Sequence, residues 1–484
     1  SQSFICGKIV PSEISHQFLS CSFSILWMFP VSSSYHINSS ESSYKDNPTK
    51  EEMAIQPTNN PPRKGQEFFW TIANSVPKRV WVQGAVIIGA GPSGLAAAAC
   101  LRNNGVPFLV LEKERCIGSL WQLRTYSSLR LHLHKKFCEL PYMQFPSDFP
   151  SYPDKHQFIE YLESYATRFS IQPVFMQDVK SASFDDTLSL WSIKTQESEF
   201  MCRWLVVATG ENAVPIMPST SEYSGRVLHT SKYKNGADFC GNKVLVVGCG
   251  NSGMEVGLDL SKRGALVSIV VRDKLHILPR EVFGKSTFGV SMWLMRWLSV
   301  KHVDRLLLLY SRFVFGLTHE LGIRRPEIGP MELKDISGKT PVLDSGTFSK
   351  IKSGQIRVVG DIKRFTSNGV EFVDCKTEDF DAVILATGYR SSVASWLKVN
   401  TYHLDSLTLF LIIFYSWKSK DDSFFNMIDG YPQNPFPNNW KGKNGLYSVG
   451  FSRKGLLGTS IDAKKVAQDI ASQWVTESLN VPFR

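Results

Sequence analysis

Paired cysteines are missing from this sequence. Its 484 residues include nine cysteines, yet none of them stands in a Cys-x-x-Cys arrangement. Structural zinc sites and redox-active dithiols depend on such closely spaced pairs, so their absence argues against both kinds of site. Scattered single cysteines in a long chain are typical of a reducing compartment. We therefore expect neither a metal centre nor a redox-active dithiol.

The chain also lacks a membrane-spanning segment, a nucleic-acid-binding pattern and a recognisable nucleophile. Apolar stretches at 18–29 and 407–415 are shorter than the ~20 residues that a helix needs to cross a bilayer. The net charge is +10, but no stripe of basic and aromatic residues accompanies it, so we expect no nucleic-acid partner. No Ser/His/Asp or Cys/His arrangement is evident, which disfavours catalysis by a side-chain nucleophile. A positive charge does suit anionic small molecules such as nucleotides.

The composition separates an atypical first part from a long globular part. Hydrophobic residues make up 43% and charged residues 20% of the chain, as in soluble globular proteins, and 484 residues allow two or three domains. Residues 1–77 differ, because 32–43 is rich in serine and the stretch from Asn47 is polar and rich in proline. We expect residues 1–77 to be a poorly ordered or non-native extension, with an organellar targeting segment as the alternative.

A complete strand–helix–strand unit begins shortly after this extension. The apolar runs 85–88 and 108–111 have the length and composition of short buried strands, and the alanine-rich stretch 95–101 is typical of a helix. Between the first strand and the helix, residues 89–94 follow the pattern Gly-x-Gly-x-x-Gly. The order strand, glycine turn, helix, strand is that of a Rossmann-type dinucleotide-binding unit.

Each residue of this first glycine motif has a physical reason for its identity. Gly89 allows the tight turn, Gly91 lets the backbone approach a pyrophosphate, and Gly94 lets the helix pack closely on the strand. The amino terminus of the helix stabilises the phosphate charge. Glu112, at the end of the second strand, would accept hydrogen bonds from ribose hydroxyls. The alternative is a glycine turn in an unrelated α/β domain.

A second glycine motif lies about 160 residues further along the chain, again between an apolar strand and a helix. Its residues are Gly248, Gly250, Asn251, Ser252 and Gly253. The strand after it ends at Arg272, where the first unit has Glu112. A carboxylate favours a free ribose 2′-hydroxyl, whereas an arginine suits a 2′-phosphate. The second motif therefore predicts a site for NADP, and the first predicts a site for a dinucleotide without the extra phosphate. The alternative is that Arg272 is only a surface residue at the end of a strand.

Two dinucleotide sites in one chain indicate electron transfer between two bound cofactors, of which FAD and NADPH are the usual pair. Two further segments agree with this interpretation, since 203–215 and 380–390 are apolar strands that end in Ala-Thr-Gly. These segments resemble the strands that lie near the flavin, or mark the domain crossings, in flavoproteins with two dinucleotide sites. We expect an α/β fold with two Rossmann-like domains, the NADP domain being inserted into a discontinuous FAD domain.

An unusual spaced motif lies between the two glycine motifs. It has the form Tyr-x-Gly-x3-His-x3-Tyr and consists of Tyr223, Gly225, His229 and Tyr233. It resembles the identifying motif of flavin-containing monooxygenases, with tyrosine in place of the commoner phenylalanine at its first position. Its place between an FAD-type and an NADP-type motif is also that of the family. The resemblance implies a hinge region between two nucleotide domains, and a structural role for His229 is favoured over a chemical one.

Within that family the sequence is most similar to the plant YUCCA-type enzymes. Matching segments run from Val86 to Asp469 and include CIGSLWQLRTY, FCELP, LVVATGEN, GIRRPEIGPMELKDISGKTPVLDSGT and GLLGTSIDAKKVAQDI. The resemblance implies an FAD- and NADPH-dependent monooxygenase that uses O2 to convert indole-3-pyruvate to the auxin indole-3-acetate. In that chemistry a C4a-(hydro)peroxyflavin attacks the keto carbon before CO2 is lost. The protein then has to exclude water and keep the peroxide intact.

The resemblance also implies domains, contacts and partners. We expect the FAD-binding domain to comprise 78–212 and 346–484, and the NADP-binding domain to comprise 213–345. Trp121 and Thr209 are expected to contact FAD together with the first glycine motif. The expected partners are a small 2-oxo acid and O2. The implied location is the cytoplasm, with the surface of the endoplasmic reticulum as a further option.

Two features depart from the family pattern. Residues 399–417 have no counterpart, and their core LTLFLIIFY is apolar, uncharged and prone to β-aggregation. We interpret this segment as a retained intron or an error in the gene structure, with a functional lid as the alternative. His134 stands where a proline is common, which leaves the geometry of that loop open.

Other functions remain open at this point. The chain could oxygenate a nitrogen or sulfur centre of another small substrate. It could also be an inactive product of a faulty gene structure. Disulfide reduction, known in relatives that share two dinucleotide domains, is disfavoured because no Cys-x-x-Cys is present.

Overall fold

The computed structural model describes residues 78–398 and 423–480, with side chains up to residue 476. The extension 1–77 and the segment 399–417 therefore lie outside the described residues. The strands are β1 (Lys78–Trp81), β2 (Ala85–Ile88), β3 (Phe108–Leu111), β4 (Ser181–Asp185), β5 (Leu190–Lys194), β6 (Ser198–Cys202), β7 (Trp204–Val207), β8 (Val214–Pro215), β9 (Arg226–His229), β10 (Lys243–Val247), β11 (Leu266–Val270), β12 (Ile277–Pro279), β13 (Glu281–Val282), β14 (Lys285–Ser286), β15 (Val342–Asp344), β16 (Ile356–Val359), β17 (Ile362–Phe365), β18 (Gly369–Phe372), β19 (Thr377–Asp379), β20 (Ala382–Leu385), β21 (Tyr389–Arg390) and β22 (Leu446–Ser448).

Helices connect these strands. They are α1 (Pro92–Asn103), α2 (Ser119–Leu123), α3 (Lys155–Arg168), α4 (Asn251–Lys262), α5 (Thr287–Leu294), α6 (Val300–Phe315), α7 (Pro330–Ser337), α8 (Thr347–Lys352), α9 (Val393–Trp396) and α10 (Gly455–Asn480). Short 3₁₀ helices cover Lys135–Phe137, Ala237–Phe239 and Thr318–Leu321.

The first parallel sheet has the strand order β22-β7-β2-β3. The predicted strands 85–88 and 108–111 are confirmed as β2 and β3, which pair in parallel from Ala85 and Phe108 onward. Helix α1 lies between this sheet and α10, and its residues 94–101 are all buried. Half of them are alanines, whose short side chains let the helix approach both neighbours closely.

The second parallel sheet has the order β16-β11-β10-β20-β9 and repeats the plan of the first, since β10 leads through a glycine turn into α4. We expected the strand in 380–390 to lie in the FAD-binding domain, but as β20 it pairs with β10 and β9. With β16 it belongs to the second sheet, so the predicted boundary at residue 346 is wrong. The reason is that β7 and β20 are both apolar runs ending in Ala-Thr-Gly, and only long-range pairing assigns each to its sheet.

The chain crosses between the two units twice, and the two crossings pair with each other. Strand β8 follows the first sheet, β21 follows the second, and they form an antiparallel ribbon. Ile216 N donates a hydrogen bond to Gly388 O over 3.0 Å, and Thr387 Oγ1 donates to Ile216 O over 2.5 Å. The second unit is thus inserted between β7 and β22 of the first sheet. This arrangement confirms the predicted fold class, an α/β fold with a discontinuous first Rossmann-like unit and an inserted second one.

Smaller elements surround the two parallel sheets. The sheet β1-β6-β5-β4 shares a hydrophobic core with the first parallel sheet and α9. The antiparallel ribbon β17-β18-β19 packs against the second. Helix α6 packs with β12 and with α7, and α5 packs with β13, β14 and α6. No helix in 78–398 or 423–480 is both long enough and apolar enough to cross a membrane.

Candidate active site

Both glycine turns have the same backbone geometry. Gly89 has a φ of +108° and Gly248 a φ of +107°, values that residues with a side chain rarely adopt. A Cβ at Gly94 would lie 1.8 Å from the carbonyl oxygen of Gly89, and one at Gly253 would lie 2.0 Å from that of Gly248. These four positions therefore need glycine for folding, and the reason is the same in both units.

The middle glycine of each turn has different surroundings. A Cβ at Gly91 or Gly250 would meet no protein atom within 4 Å. Both residues have ordinary negative φ angles and are the N-caps of α1 and α4. Free backbone N–H groups at a helix amino terminus bind anions. Packing does not require glycine at these two positions, so the open space fits the pyrophosphate of a bound dinucleotide.

A cleft of about 750 Å³ opens at the carboxyl ends of β2, β3 and β7, which is where open α/β sheets bind ligands. The predicted FAD residues that line it are Gly89, Gly91, Glu112, Trp121 and Thr209. Gly94 lies beneath the turn, against the Gly89 carbonyl, and so acts through packing.

Glu112 lies just past β3 with a firmly held carboxylate. The residue is 4% exposed. Its Oε2 accepts a hydrogen bond from Ala90 N over 2.7 Å, and its Oε1 accepts from Glu114 N and Ser119 Oγ, both over 3.1 Å. An ionised carboxylate has about four lone-pair sites, so capacity for a ribose hydroxyl remains. The three donors hold the carboxylate at the edge of the cleft and leave it able to accept a hydrogen bond from a ligand.

Two further cleft residues fit a large, partly planar ligand. Thr209 Oγ1 is buried and has no hydrogen-bond partner among the described residues. A buried hydroxyl left unpaired costs about 1–3 kcal/mol, which a ligand with a hydrogen-bonding edge would recover. Trp121 on α2 packs edge-on against Phe158, with 4.4 Å between the ring centroids. Together with Glu112 and the open space at Gly91, these residues fit FAD.

The second glycine turn carries the predicted NADP residues. Asn251 Oδ1 accepts a hydrogen bond from Leu343 N over 3.0 Å and so ties the turn to β15. Ser252 is half-buried in the first turn of α4. Arg272 is well exposed just past β11, with its Nη2 3.1 Å from Asp273 Oδ2. A 2′-phosphate would compete with Asp273 for this guanidinium, because both anions suit it.

The tyrosines of the spaced motif hold β9 in the second unit. The Tyr223 ring lies over Gly225, where a Cβ would come within 2.3 Å of the tyrosine oxygen, so only glycine fits. The Tyr223 hydroxyl donates to Phe380 O over 2.7 Å. The Tyr233 hydroxyl donates to Asp259 Oδ2 on α4 over 2.6 Å. These contacts explain the spacing of the motif as a packing requirement.

His229 ends β9 and contacts the second Ala-Thr-Gly segment. Its Nδ1 accepts a hydrogen bond from Ser231 N over 3.1 Å, so Nε2 carries the proton and donates to Gly388 O over 3.2 Å. Burial lowers the pKa of His229, which keeps the ring neutral. The histidine thus joins the strand to the domain crossing, and this geometry supports the structural role that we favoured.

A cluster between the two units was missed by the sequence reasoning. Glu255 on α4 is buried, its Oε2 accepts from the Tyr126 hydroxyl over 2.6 Å, and its Oε1 lies 3.2 Å from His132 Nε2. Burial acts to raise the pKa of Glu255, but His132 and Tyr126 hold it below its ordinary value. His132 also lines the cleft. No local spacing could reveal this cluster, because its members come from both units.

The loop that carries His132 keeps a regular shape. His134 has a φ of −57°, close to the angle that a proline would impose. Its Nδ1 accepts a hydrogen bond from Lys136 N over 3.3 Å and caps the 3₁₀ helix Lys135–Phe137. The replacement of a commoner proline by His134 therefore leaves the backbone of this loop in the same region.

Segments remote in sequence complete the cleft. The lining residues that were not predicted as site residues include Gln177, Lys180, Trp396, Gly450, Leu456 and Thr459, of which the last two lie in the matching segment GLLGTSIDAKKVAQDI. Gly450 has a φ of +87°, and a Cβ there would lie 2.1 Å from Ser93 Oγ. For Gly450 the local signal was a single glycine after the short strand β22, and this signal is too common to indicate a site.

The fold and the cleft define a class, the flavoproteins with two dinucleotide-binding units. The sequence profile of a family described as pyridine nucleotide-disulphide oxidoreductase matches residues 86–281. An oxidized steroid monooxygenase bound to NADP aligns with a TM-score of 0.63 at 17% identity, covering 83% of this chain and 86% of that one. At this identity the likeness shows the fold alone.

Sequence relatives place the chain more closely. The probable indole-3-pyruvate monooxygenase YUCCA9 of Arabidopsis thaliana is 54% identical over 413 residues, which cover 84% of this chain and 93% of that protein. The indole-3-pyruvate monooxygenase YUCCA1 of Oryza sativa subsp. japonica is 52% identical over 401 residues, covering 82% and 93%. The chain belongs to the YUCCA family of monooxygenases, and the resemblance noted from its motifs is confirmed.

Proposed function

We propose that this protein is an FAD- and NADPH-dependent monooxygenase that converts indole-3-pyruvate to indole-3-acetate. One O2 and one NADPH are consumed, one oxygen atom enters the product, the other leaves as water, and the former carboxyl group leaves as CO2. The observation that carries the proposal is the pair of equivalent glycine cradles, open at Gly91 and Gly250, in a chain of this family.

The residues of the chain bind, orient and shield. Bound FAD and NADPH supply the hydride and the activation of O2. Glu112 and Arg272 would discriminate the two cofactors, the carboxylate accepting ribose hydroxyls and the guanidinium a 2′-phosphate. The cleft wall is partly apolar, with Leu131, Leu133 and Trp396 among its residues, and this wall limits the access of water.

The state of the cleft cysteine favours a monooxygenase over a disulfide reductase. Cys138 lines the cleft, but burial raises the pKa of its thiol to about 12. The attacking species in disulfide exchange is the thiolate. A thiol that stays protonated at neutral pH is a poor attacking group, so this residue does not support dithiol chemistry.

Product analysis tests the proposed substrate. Purified protein loaded with FAD should oxidise NADPH faster when indole-3-pyruvate is added, and indole-3-acetate should accumulate in step with NADPH consumption. Oxygenation of a tertiary amine or a thioether, with indole-3-pyruvate left unchanged, would favour the alternative function. The absence of flavin absorbance after loading with FAD would favour an inactive protein.

We also propose that the protein works at the cytoplasmic surface of a membrane such as the endoplasmic reticulum. The supporting observation is an exposed apolar surface in which Phe283 is 87%, Trp297 78% and Phe313 85% exposed. The same stretch of sequence carries the exposed basic residues Lys285, Arg296, Lys301, Arg305 and Arg312, and its acidic residue Asp304 is buried. Exposed aromatic residues with a basic rim suit an anionic lipid surface.

Vesicle flotation tests this location. The protein should float with vesicles that contain phosphatidylserine and remain behind with neutral phosphatidylcholine vesicles. The variant Trp297→Ser/Phe313→Ser should lose flotation, whereas the substitution of an exposed aromatic outside this surface, Trp81→Ser, should not. Equal flotation of both variants would contradict the proposal.

A further inference from the structure

Lys334 on α7 is a half-buried lysine without an anionic partner. Within the described part of the chain its ammonium makes no hydrogen bond or ion pair, and its nearest ring contact places Nζ 5.6 Å from the centre of Phe288. Burial lowers the pKa of Lys334, and the positive charge of Lys454 lowers it further. The carboxylates of Asp335 and Glu211 act in the opposite direction but form no ion pair with Lys334 in the described part of the chain, so an anionic ligand in direct contact would offset more of the cost of burial.

An aromatic pair lies beside this lysine. Phe288 on α5 meets Phe137 edge to face, with 4.9 Å between the ring centroids and 86° between the planes. Both rings are half-buried, so part of each faces solvent. Gly289 allows this approach, since a Cβ there would lie 3.3 Å from the Phe137 ring. The pair offers an apolar surface next to a cation.

Three segments place this group at the edge of the cleft. Phe137 directly precedes Cys138, which lines the cleft. Lys454 directly precedes Gly455, another lining residue. Glu211 also lines the cleft, and although burial raises its pKa, Lys334 is near enough to oppose that rise. Lys334, Phe137 and Phe288 do not line the cleft themselves, but they lie next to residues of its wall.

The neighbouring cations Arg453 and Lys454 already contact aromatic or acidic side chains. The Arg453 guanidinium stands 4.2 Å from the Tyr431 ring centre, and its Nη2 is 3.6 Å from Asp429 Oδ2. The Lys454 ammonium stands 4.3 Å from the Phe436 ring centre. Lys136 also lies beside the aromatic pair, with its Nζ 5.0 Å from the Phe137 ring centre, but Lys136 is exposed whereas Lys334 is half-buried.

We infer that Lys334 binds the carboxylate of an aromatic 2-oxo acid whose ring packs on Phe137 and Phe288. The inference rests on the proposed function and deepens it, since it assigns the substrate-recognition residues of the same site. A charge-assisted hydrogen bond fixes the carboxylate, and the ring contacts select an aromatic side chain. Acids and uncharged analogues with the same ring should therefore bind with different affinity.

Calorimetric titration of the FAD-loaded protein tests this inference. The probes are indole-3-propionate, which carries a carboxylate, and tryptophol, which has the same ring and no charge. The intact protein should bind indole-3-propionate about ten- to hundredfold more tightly than tryptophol, as one charge-assisted contact implies. Lys334→Met should erase this difference, with the affinity for tryptophol, the FAD content and the NADPH affinity unchanged. Lys334→Arg should restore most of the preference for the acid.

The controls separate the possible outcomes. Lys339→Met changes an exposed lysine in the same segment and should keep the preference for the acid. If Lys334→Met fails to retain FAD, Lys334→Gln takes its place. Retention of the acid preference by the flavin-loaded Lys334 variant overturns the inference, even if the intact protein turns over indole-3-pyruvate. Failure of the intact protein to turn over that substrate would instead refute the proposed function.

Discussion

The substitution Gly91→Ala separates folding from flavin binding. The added Cβ meets no protein atom within 4 Å, and the φ of −78° at this residue is one that alanine adopts readily. Alanine restricts the unfolded chain, which favours folding by about 0.4–1 kcal/mol, but it is a poorer N-cap than glycine by a similar amount. The two effects offset each other, so the free energy of unfolding without FAD should change by less than ~1 kcal/mol.

Flavin affinity should respond very differently. The methyl group would occupy the space into which a pyrophosphate has to approach the amino terminus of α1. Displacement of the phosphate from even one charge-assisted hydrogen bond costs about 1.5–3 kcal/mol. We therefore expect the dissociation constant of FAD to rise by about ten- to hundredfold or more, which corresponds to that energy at 1.4 kcal/mol per tenfold change.

The assay compares two glycines of the same turn. Urea unfolding of the FAD-free protein gives stability, and quenching of flavin fluorescence gives the FAD dissociation constant. Gly94→Ala is the matched contrast, because its Cβ would lie 1.8 Å from the Gly89 carbonyl oxygen and should destabilise the fold itself. Tight FAD binding by Gly91→Ala would refute the idea that the open space holds the pyrophosphate.

Three further predictions follow from single residues. Arg272→Ala should raise the KM for NADPH at least tenfold and the KM for NADH much less, because it removes a charge-assisted contact to the phosphate that contributes about 1.5–3 kcal/mol. If steady-state kinetics give an unchanged ratio of the two KM values, another residue binds the 2′-phosphate. Tyr223→Phe removes the bond to Phe380 O and should lower the unfolding free energy in urea by about 1 kcal/mol, with turnover retained; loss of turnover would assign the tyrosine a chemical role. Burial raises the pKa of Asp462 to about 7, so the folded protein is more stable when this carboxyl is protonated, and that contribution is lost as pH rises from about 4 to 7. The variant Asp462→Asn should therefore show a smaller fall in Tm between pH 5 and pH 8. An unchanged fall in Tm would contradict the pKa assigned to Asp462.

Local features were predicted well because their causes are local. The strands β2 and β3 match the predicted bounds, and the roles of Gly89 and Gly94 follow from a turn and a close contact within six residues of chain. The same two requirements, for a tight turn and for a close contact, apply to Gly248 and Gly253 in the second glycine turn. What a short segment requires of its own backbone can be read from that segment.

The assignment of strands to sheets could not be obtained in this way. Strands β20 and β7 are both short apolar runs followed by Ala-Thr-Gly, and their pairing partners are what assign them to different sheets. The contacts of Glu255 and Lys334 have the same origin, because their neighbours lie in segments far away in the chain. Contacts between segments that are distant in sequence depend on the complete fold, and no spacing within the sequence predicts them.

The central claim is that one oxygen atom of O2 enters indole-3-acetate in a reaction driven by NADPH. Turnover under ¹⁸O2 in ordinary water, followed by mass spectrometry of the product, measures this directly. The account predicts indole-3-acetate that carries one ¹⁸O in its carboxyl group and forms in proportion to the NADPH consumed. Unlabelled indole-3-acetate, or product formed without NADPH, would contradict it.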